Sequence, residues 1–144
     1  MLHFLIGGEK MNHFLKLFSI AALTFLVLDF TWLLLIARKM YQEQLGSLLG
    51  TTKLIPASIF YVLYLMGVLF FVVYPALEKG SLMYALMAGA FLGLLCYATY
   101  DLTNLATIKG WPTSVTIIDL IWGASVTAAT SGITVFVAQH FNWR

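Results

Sequence analysis

Four apolar runs, each long enough to cross a bilayer, restrict this chain to one class of fold. A spanning helix needs about 20 consecutive, mostly apolar residues. Lipid admits only helices or closed barrels, because no water is present there to satisfy backbone N–H and C=O groups. The runs cover residues 15–37, 54–74, 81–108 and 113–138. Charged residues make up only 10% of the chain, against about a quarter in soluble domains, so charge cannot clothe the surface. Short connections between the runs predict an all-α integral membrane protein, an antiparallel four-helix transmembrane bundle forming one domain over residues 11–144. Residues 1–10 are set apart as an N-terminal extension, since Met11-Asn-His-Phe-Leu-Lys16 offers a second start. The run from Leu15 exceeds a signal-peptide core and carries Asp29, which argues against cleavage.

Breakers set the expected boundaries. Arg38-Lys39 closes the first span, and residues 40–53 read as a polar connector whose Leu45, Leu48 and Leu49 suit a short interfacial turn. Pro56 is tolerated in a first helical turn, whereas Pro75 should stop the second helix ahead of a tight turn over Ala76–Gly80. Lys109-Gly110-Trp111-Pro112 separates the last two spans, and the tail after Gln139 suits the interface. Four basic residues fall on each side of the membrane, so charge asymmetry does not orient the chain. A net charge of +2 leaves no footprint for nucleic acid. Ala85, Gly89 and Gly93, like Ala124, Ala128 and Gly132, repeat every four residues. Such faces let helices approach closely, within the bundle or in a homo-oligomer.

The third run ends in Tyr97-Ala-Thr-Tyr100-Asp101-Leu-Thr-Asn104-Leu-Ala-Thr107, which carries groups a spanning helix normally avoids. Tyr97, Asp101 and Asn104 share a helical face. Three of the six acidic residues, Asp29, Asp101 and Asp119, lie inside spans. Counted from Ala37, Lys109 and Pro112, each acid falls roughly 10–12 Å below the same boundary. Tyr61 and Tyr64 reach a similar level. Asp29-Phe-Thr-Trp32 and Asp119-Leu-Ile-Trp122 share an Asp-x-x-Trp spacing, which puts acid and indole on one face. The expected ligand- or proton-binding pocket therefore comprises Asp29, Trp32, Tyr61, Tyr64, Tyr97, Asp101, Asn104, Asp119 and Trp122. Intramembrane ionisable residues are costly and mark functional sites, and aromatic rings beside carboxylates suit organic cations.

Missing residues narrow the chemistry. His3, His13 and His140 lie near the termini, so no histidine-based metal centre is expected, and no cofactor motif is present. Cys96 has no histidine partner and reads as a small core residue. Ser114, Ser125 and Ser131 lack the strand–turn–helix elbow of hydrolases, so no catalytic residue is assigned.

The third-helix string, with Gly110-Trp-Pro112, Asp119-Leu-Ile-Trp-Gly123, the Asp29/Trp32 pair and Tyr74-Pro-Ala76, resembles a family of small bacterial predicted membrane proteins known as a domain of unknown function. The resemblance implies a multi-pass protein of the bacterial inner membrane with four helices, and brings no activity or site residue with it. Three functions compete on the residues alone. The first is binding or transport of a small cationic or proton-coupled ligand. The second is a structural or assembly subunit whose acids bond internally. The third, which requires a lateral opening at the level of the acids, is an enzyme acting on a lipid or isoprenoid.

Overall fold

The computed structural model of the chain describes residues 2–46, 50 and 53–143, with side chains from Gly7 onward. The described residues form helices and turns, without strands. Helix α1 runs Leu2–Trp32, passes through a π-helical turn at Leu33–Ala37 and continues as Arg38–Leu45. Helix α2 does likewise, with Leu54–Val68, a π-turn at Leu69–Val73 and Tyr74–Lys79. Helices α3 (Leu82–Thr107) and α4 (Thr113–His140) are uninterrupted. All four are long and apolar enough to span a membrane.

The packing is inside-out relative to a soluble protein. Leu23, Val27, Phe30 and Leu34 form an exposed stripe on α1, and Met83, Met87 and Phe91 another on α3. Meanwhile Thr127, Thr130, Ser131 and Thr134 of α4 are fully buried. In lipid the apolar exterior costs nothing, whereas hydroxyls must find partners inside the protein. Thr134 satisfies its own by bonding Thr130 O at 2.7 Å.

The contact series run in opposite chain directions along neighbouring helices. His13, Phe25 and Asp29 of α1 meet Tyr74, Tyr64 and Tyr61 of α2. Trp32, Tyr41 and Gln44 meet Trp122, Asp119 and Ser114 of α4. Helices α3 and α4 pack most intimately of all. Their series steps four residues at a time through Gly89–Ser131, Gly93–Thr127 and Tyr97–Gly123. No side chain fits between them at Gly93, where a Cβ would strike the Gly123 carbonyl, nor at Gly123, where it would strike the Tyr97 ring. Two of the repeating small residues of α3, Gly89 and Gly93, are thus covered by α4 of the same chain, and Ala85 is buried as well.

Two expected boundaries are corrected. The first helix does not end at Arg38-Lys39, and residues 40–45 are helical rather than connector. In the four-residue series from Leu17 to Leu45, Leu17, Ala21, Phe25, Asp29, Ala37 and Leu45 are buried and Leu33 and Tyr41 are half-buried. An ideal helix would rotate such a series out of the core, since four residues overshoot a turn of 3.6. The π-turn takes up one surplus residue and so offsets part of that drift. Leu45 is buried as part of this stripe, while Leu48 and Leu49 lie outside the described residues. Nor does Pro75 stop the second helix, which proceeds to Lys79. Proline lacks an N–H and its ring collides with the carbonyl four residues back. Here it directly follows a π-turn, in which Tyr74 N–H donates to Leu69 O and the regular ladder is already shifted. The stop comes at Gly80, which takes the left-handed conformation (φ 63°). Ser81 N–H then bonds Ala76 O at 3.0 Å and Gly80 N–H bonds Leu77 O at 3.1 Å. Ser81 also starts α3, its hydroxyl accepting from Tyr84 N–H at 3.0 Å.

The helix interfaces can be tested at two glycines. Gly93→Val should destabilise the detergent-purified protein by about 1–3 kcal/mol or prevent its folding, since overpacking must displace backbone. Gly67→Ala meets nothing within 4 Å of the added carbon and should be neutral to stabilising by up to about 1 kcal/mol. Thermal unfolding followed by tryptophan fluorescence reads both.

Candidate functional site

The register of α3 on α4 builds the site. One further step of four residues beyond Tyr97–Gly123 sets Asp101 opposite Asp119, their carboxyl groups side by side. Asp101 is fully buried, and among the described residues neither of its oxygens has a donor. Two ionised carboxylates can only accept, so their proximity satisfies neither. Asp119 is also buried, and accepts a short hydrogen bond from the Tyr41 hydroxyl. Tyr41 approaches from beyond the expected end of the first helix, its ring directed back toward the helix N-terminus as helical side chains are. Ser114 donates to Gln44 Oε1 at 2.6 Å and fastens the same end of α1 to α4.

A second tier lies deeper. The indoles of the two Asp-x-x-Trp elements stack, with Trp32 and Trp122 centroids 4.5 Å apart and their planes 6° from parallel. Because α1 and α4 run oppositely here, Asp29 and Asp119 leave that stack in opposite directions. Three residues each way separate them by about 9 Å along the bundle. The expectation of three acids at one depth is therefore corrected. It rested on a helix end at Ala37, and the continuation to Leu45 moves Asp29 further from the end of its helix. Asp29 accepts from the Tyr61 hydroxyl at 2.9 Å. Trp122 Nε1, buried without a hydrogen-bond partner, lies beside this carboxyl group.

Both tiers border one cavity of about 350 Å³. Of the residues expected at the site, Asp29, Trp32, Tyr61, Tyr97, Asp101, Asp119 and Trp122 line it. Tyr64 and Asn104 do not. The Tyr64 hydroxyl makes a short hydrogen bond with Thr127 Oγ1, in the core below the cavity. The hydroxyls of Thr99, Thr103 and Thr107 turn away as well, each bonded to the carbonyl one turn back on α3. Tyr41, Leu33, Ala57, Phe60, Cys96 and Tyr100 also line the cavity. Tyr41 was hidden by its polar neighbours, and only the i, i+4 series from Asp29 through Leu33 and Ala37 could have revealed it. No Lys, Arg or His stands among the lining residues. Among the described residues, no group of three His, Cys, Asp or Glu gathers at one metal-sized site.

The cavity has a weak wall. The Leu54–Val68 part of α2 packs on α1 and scarcely touches α3, while the Leu69–Lys79 part packs against α3. The two helices therefore splay at the level of the acids. Phe60 of α2 and Tyr100 of α3, both lining residues, are exposed there.

Four membrane-length helices around buried acids make this a multi-pass membrane protein with an intramembrane polar site. The chain belongs to the family described as "Predicted membrane protein (DUF2177)", whose profile matches residues 14–136. Comparison with curated proteins and with solved structures gives no match.

Removing the Tyr41 hydroxyl should expose its weight in the site. Tyr41→Phe is expected to destabilise by about 1.5–3 kcal/mol, the range for a hydrogen bond to a charged group. In an Asp119→Asn background the same change should cost measurably less. The difference between the two, read by thermal unfolding, isolates the pair.

Proposed function

We propose that the protein binds a small cationic ligand at the Asp101–Asp119 pair within the membrane, either as the binding step of transport or in exchange for protons. The observation that carries this reading is Asp101, fully buried, with neither carboxylate oxygen receiving a hydrogen bond among the described residues and a second carboxyl group beside it. In a low-dielectric interior such a pair requires a proton or a positive charge nearby, and among the described residues no basic side chain lines the cavity. The stacked Trp32 and Trp122, with Tyr97 and Tyr100, add π faces of the kind that hold organic cations. Asp29, with its Tyr61 bond, offers a second station deeper in the bundle. The family resemblance supports a bacterial inner membrane as the site of action. Because α4 covers Gly89 and Gly93 and Ala85 is buried inside the protein, a homo-oligomer would meet through other faces.

Thermal unfolding across a panel of metal and organic cations tests the reading. A ligand at about 100 times its dissociation constant should stabilise by about 2.7 kcal/mol, and Asp101→Asn should abolish the shift. A response identical in wild type and Asp101→Asn would sink the proposal and favour acids that serve only internal structure.

The splay between α2 and α3 favours one other reading, an enzyme acting on a membrane-soluble lipid or isoprenoid. Asp101 and Asp119 would exchange a proton with such a substrate as general acid and base. It predicts a new product, detectable by mass spectrometry, when membrane lipid extract is incubated with wild type but not with Asp119→Asn.

A further inference from the structure

Further along the α2–α3 seam, where the Leu69–Lys79 part of α2 packs against α3, lies a second, apolar groove. Phe71 and Val72 form one wall of this groove and Ala88, Phe91, Leu92 and Leu95 the other. On α3, Ala88, Leu92 and Cys96 repeat every four residues, so one face of the helix lines first the groove and then the cavity. On α2, Gly67 stands seven residues from Phe60 and four from Phe71, and a side chain begun there would meet no described neighbour beyond its own helix within 4 Å. Gly67 thus places no side chain between the cavity and the groove. From Asp101 back to Ala88 the helical rise amounts to about 20 Å, far longer than a compact cation.

We propose that the ligand is a membrane-soluble amphiphile, an ammonium or quaternary ammonium head on an unbranched hydrocarbon tail. The head sits at Asp101 and Asp119, and the tail lies along the α2–α3 groove. This inference rests on the cation reading above and adds the ligand's class and its route. Charge complementarity selects the head: two carboxyl groups and aromatic faces, with no basic side chain among the lining residues. Geometry selects the tail, because the cavity's weak wall lies on the same α2–α3 seam as a groove lined by apolar side chains alone. Entry is lateral, from the bilayer, and does not require the head to cross water.

Two probes in one detergent separate this inference from the reading beneath it. Tetramethylammonium reports the head site alone, and a dodecyl trimethylammonium bearing a terminal diazirine reports head and tail. In wild type the long probe should bind more tightly than tetramethylammonium by at least about tenfold beyond the same ratio in Ala88→Trp. Burying about two methylene groups already supplies that difference, at about fourfold each. Taking the ratio against the variant cancels partition into the micelle. Photolysis should label residues 71–72 or 88–95, and Asp101→Asn should remove the label. Equal ratios in both proteins, or labelling elsewhere on the surface, overturn the amphiphile and leave the cation site standing. Failure of both probes to stabilise wild type overturns the cation reading as well. Should Ala88→Trp not fold, the labelling pattern of wild type decides alone.

Discussion

Helices α3 and α4 touch backbone to backbone, and the rest of the molecule takes its arrangement from that contact. Between helices in lipid there is no hydrophobic force, so association depends on close van der Waals packing and hydrogen bonds. Gly93 and Gly123 supply the first by presenting nothing to keep the helices apart. The four-residue stepping that follows is indifferent to chemistry. It pairs Gly89 with Ser131 and Gly93 with Thr127, seats the Tyr97 ring on Gly123 and then brings Asp101 against Asp119. A contact built from small residues thereby forces two acids together where neither would go by preference. Such a pair persists because the helices cannot slide by one residue without driving side chains into backbone.

The first two helices adapt to this core through their irregular turns. Each π-turn lies near the site or beside a proline, and each offsets part of the drift by which a regular helix would turn a buried stripe away. The turn at Leu33–Ala37 directly follows Trp32 and brings Tyr41 to bear on Asp119. Wide turns of this kind concentrate at functional sites because they aim particular side chains at the cost of regular hydrogen bonding. The stacked indoles of Trp32 and Trp122 then divide the polar region into a shallow acid pair and a deeper single acid.

The asymmetric packing of α2 decides who can reach the acids. Its Leu69–Lys79 part lies against α3 and its Leu54–Val68 part leans toward α1, so the bundle is closed at one end of that seam and open at the other. An opening that faces lipid selects ligands by their solubility in the bilayer before any side chain selects them by charge. That is the link between the shape of the helices and the proposed chemistry.

Much of this was legible without coordinates. Hydrophobic run length determined the number of spans, because a bilayer sets a minimum length that four runs meet. Unpaired acids amid apolar residues marked Asp29, Asp101 and Asp119, because no ordinary span tolerates them. The Asp-x-x-Trp spacing pointed to a shared wall. What the chain could not disclose was rotation about each helix axis and where a helix bends or widens. Periodicity put Asn104 on the face of Tyr97 and Asp101, yet it lies outside the cavity. Polar composition concealed Tyr41, and the assumed end at Arg38-Lys39 misjudged the depth of Asp29. These are properties of register, and register depends on which small residues meet across an interface and where one surplus residue is accommodated. Only the packed helices decide them, since the apolar pattern in lipid is nearly uniform around each axis and carries too little directional information.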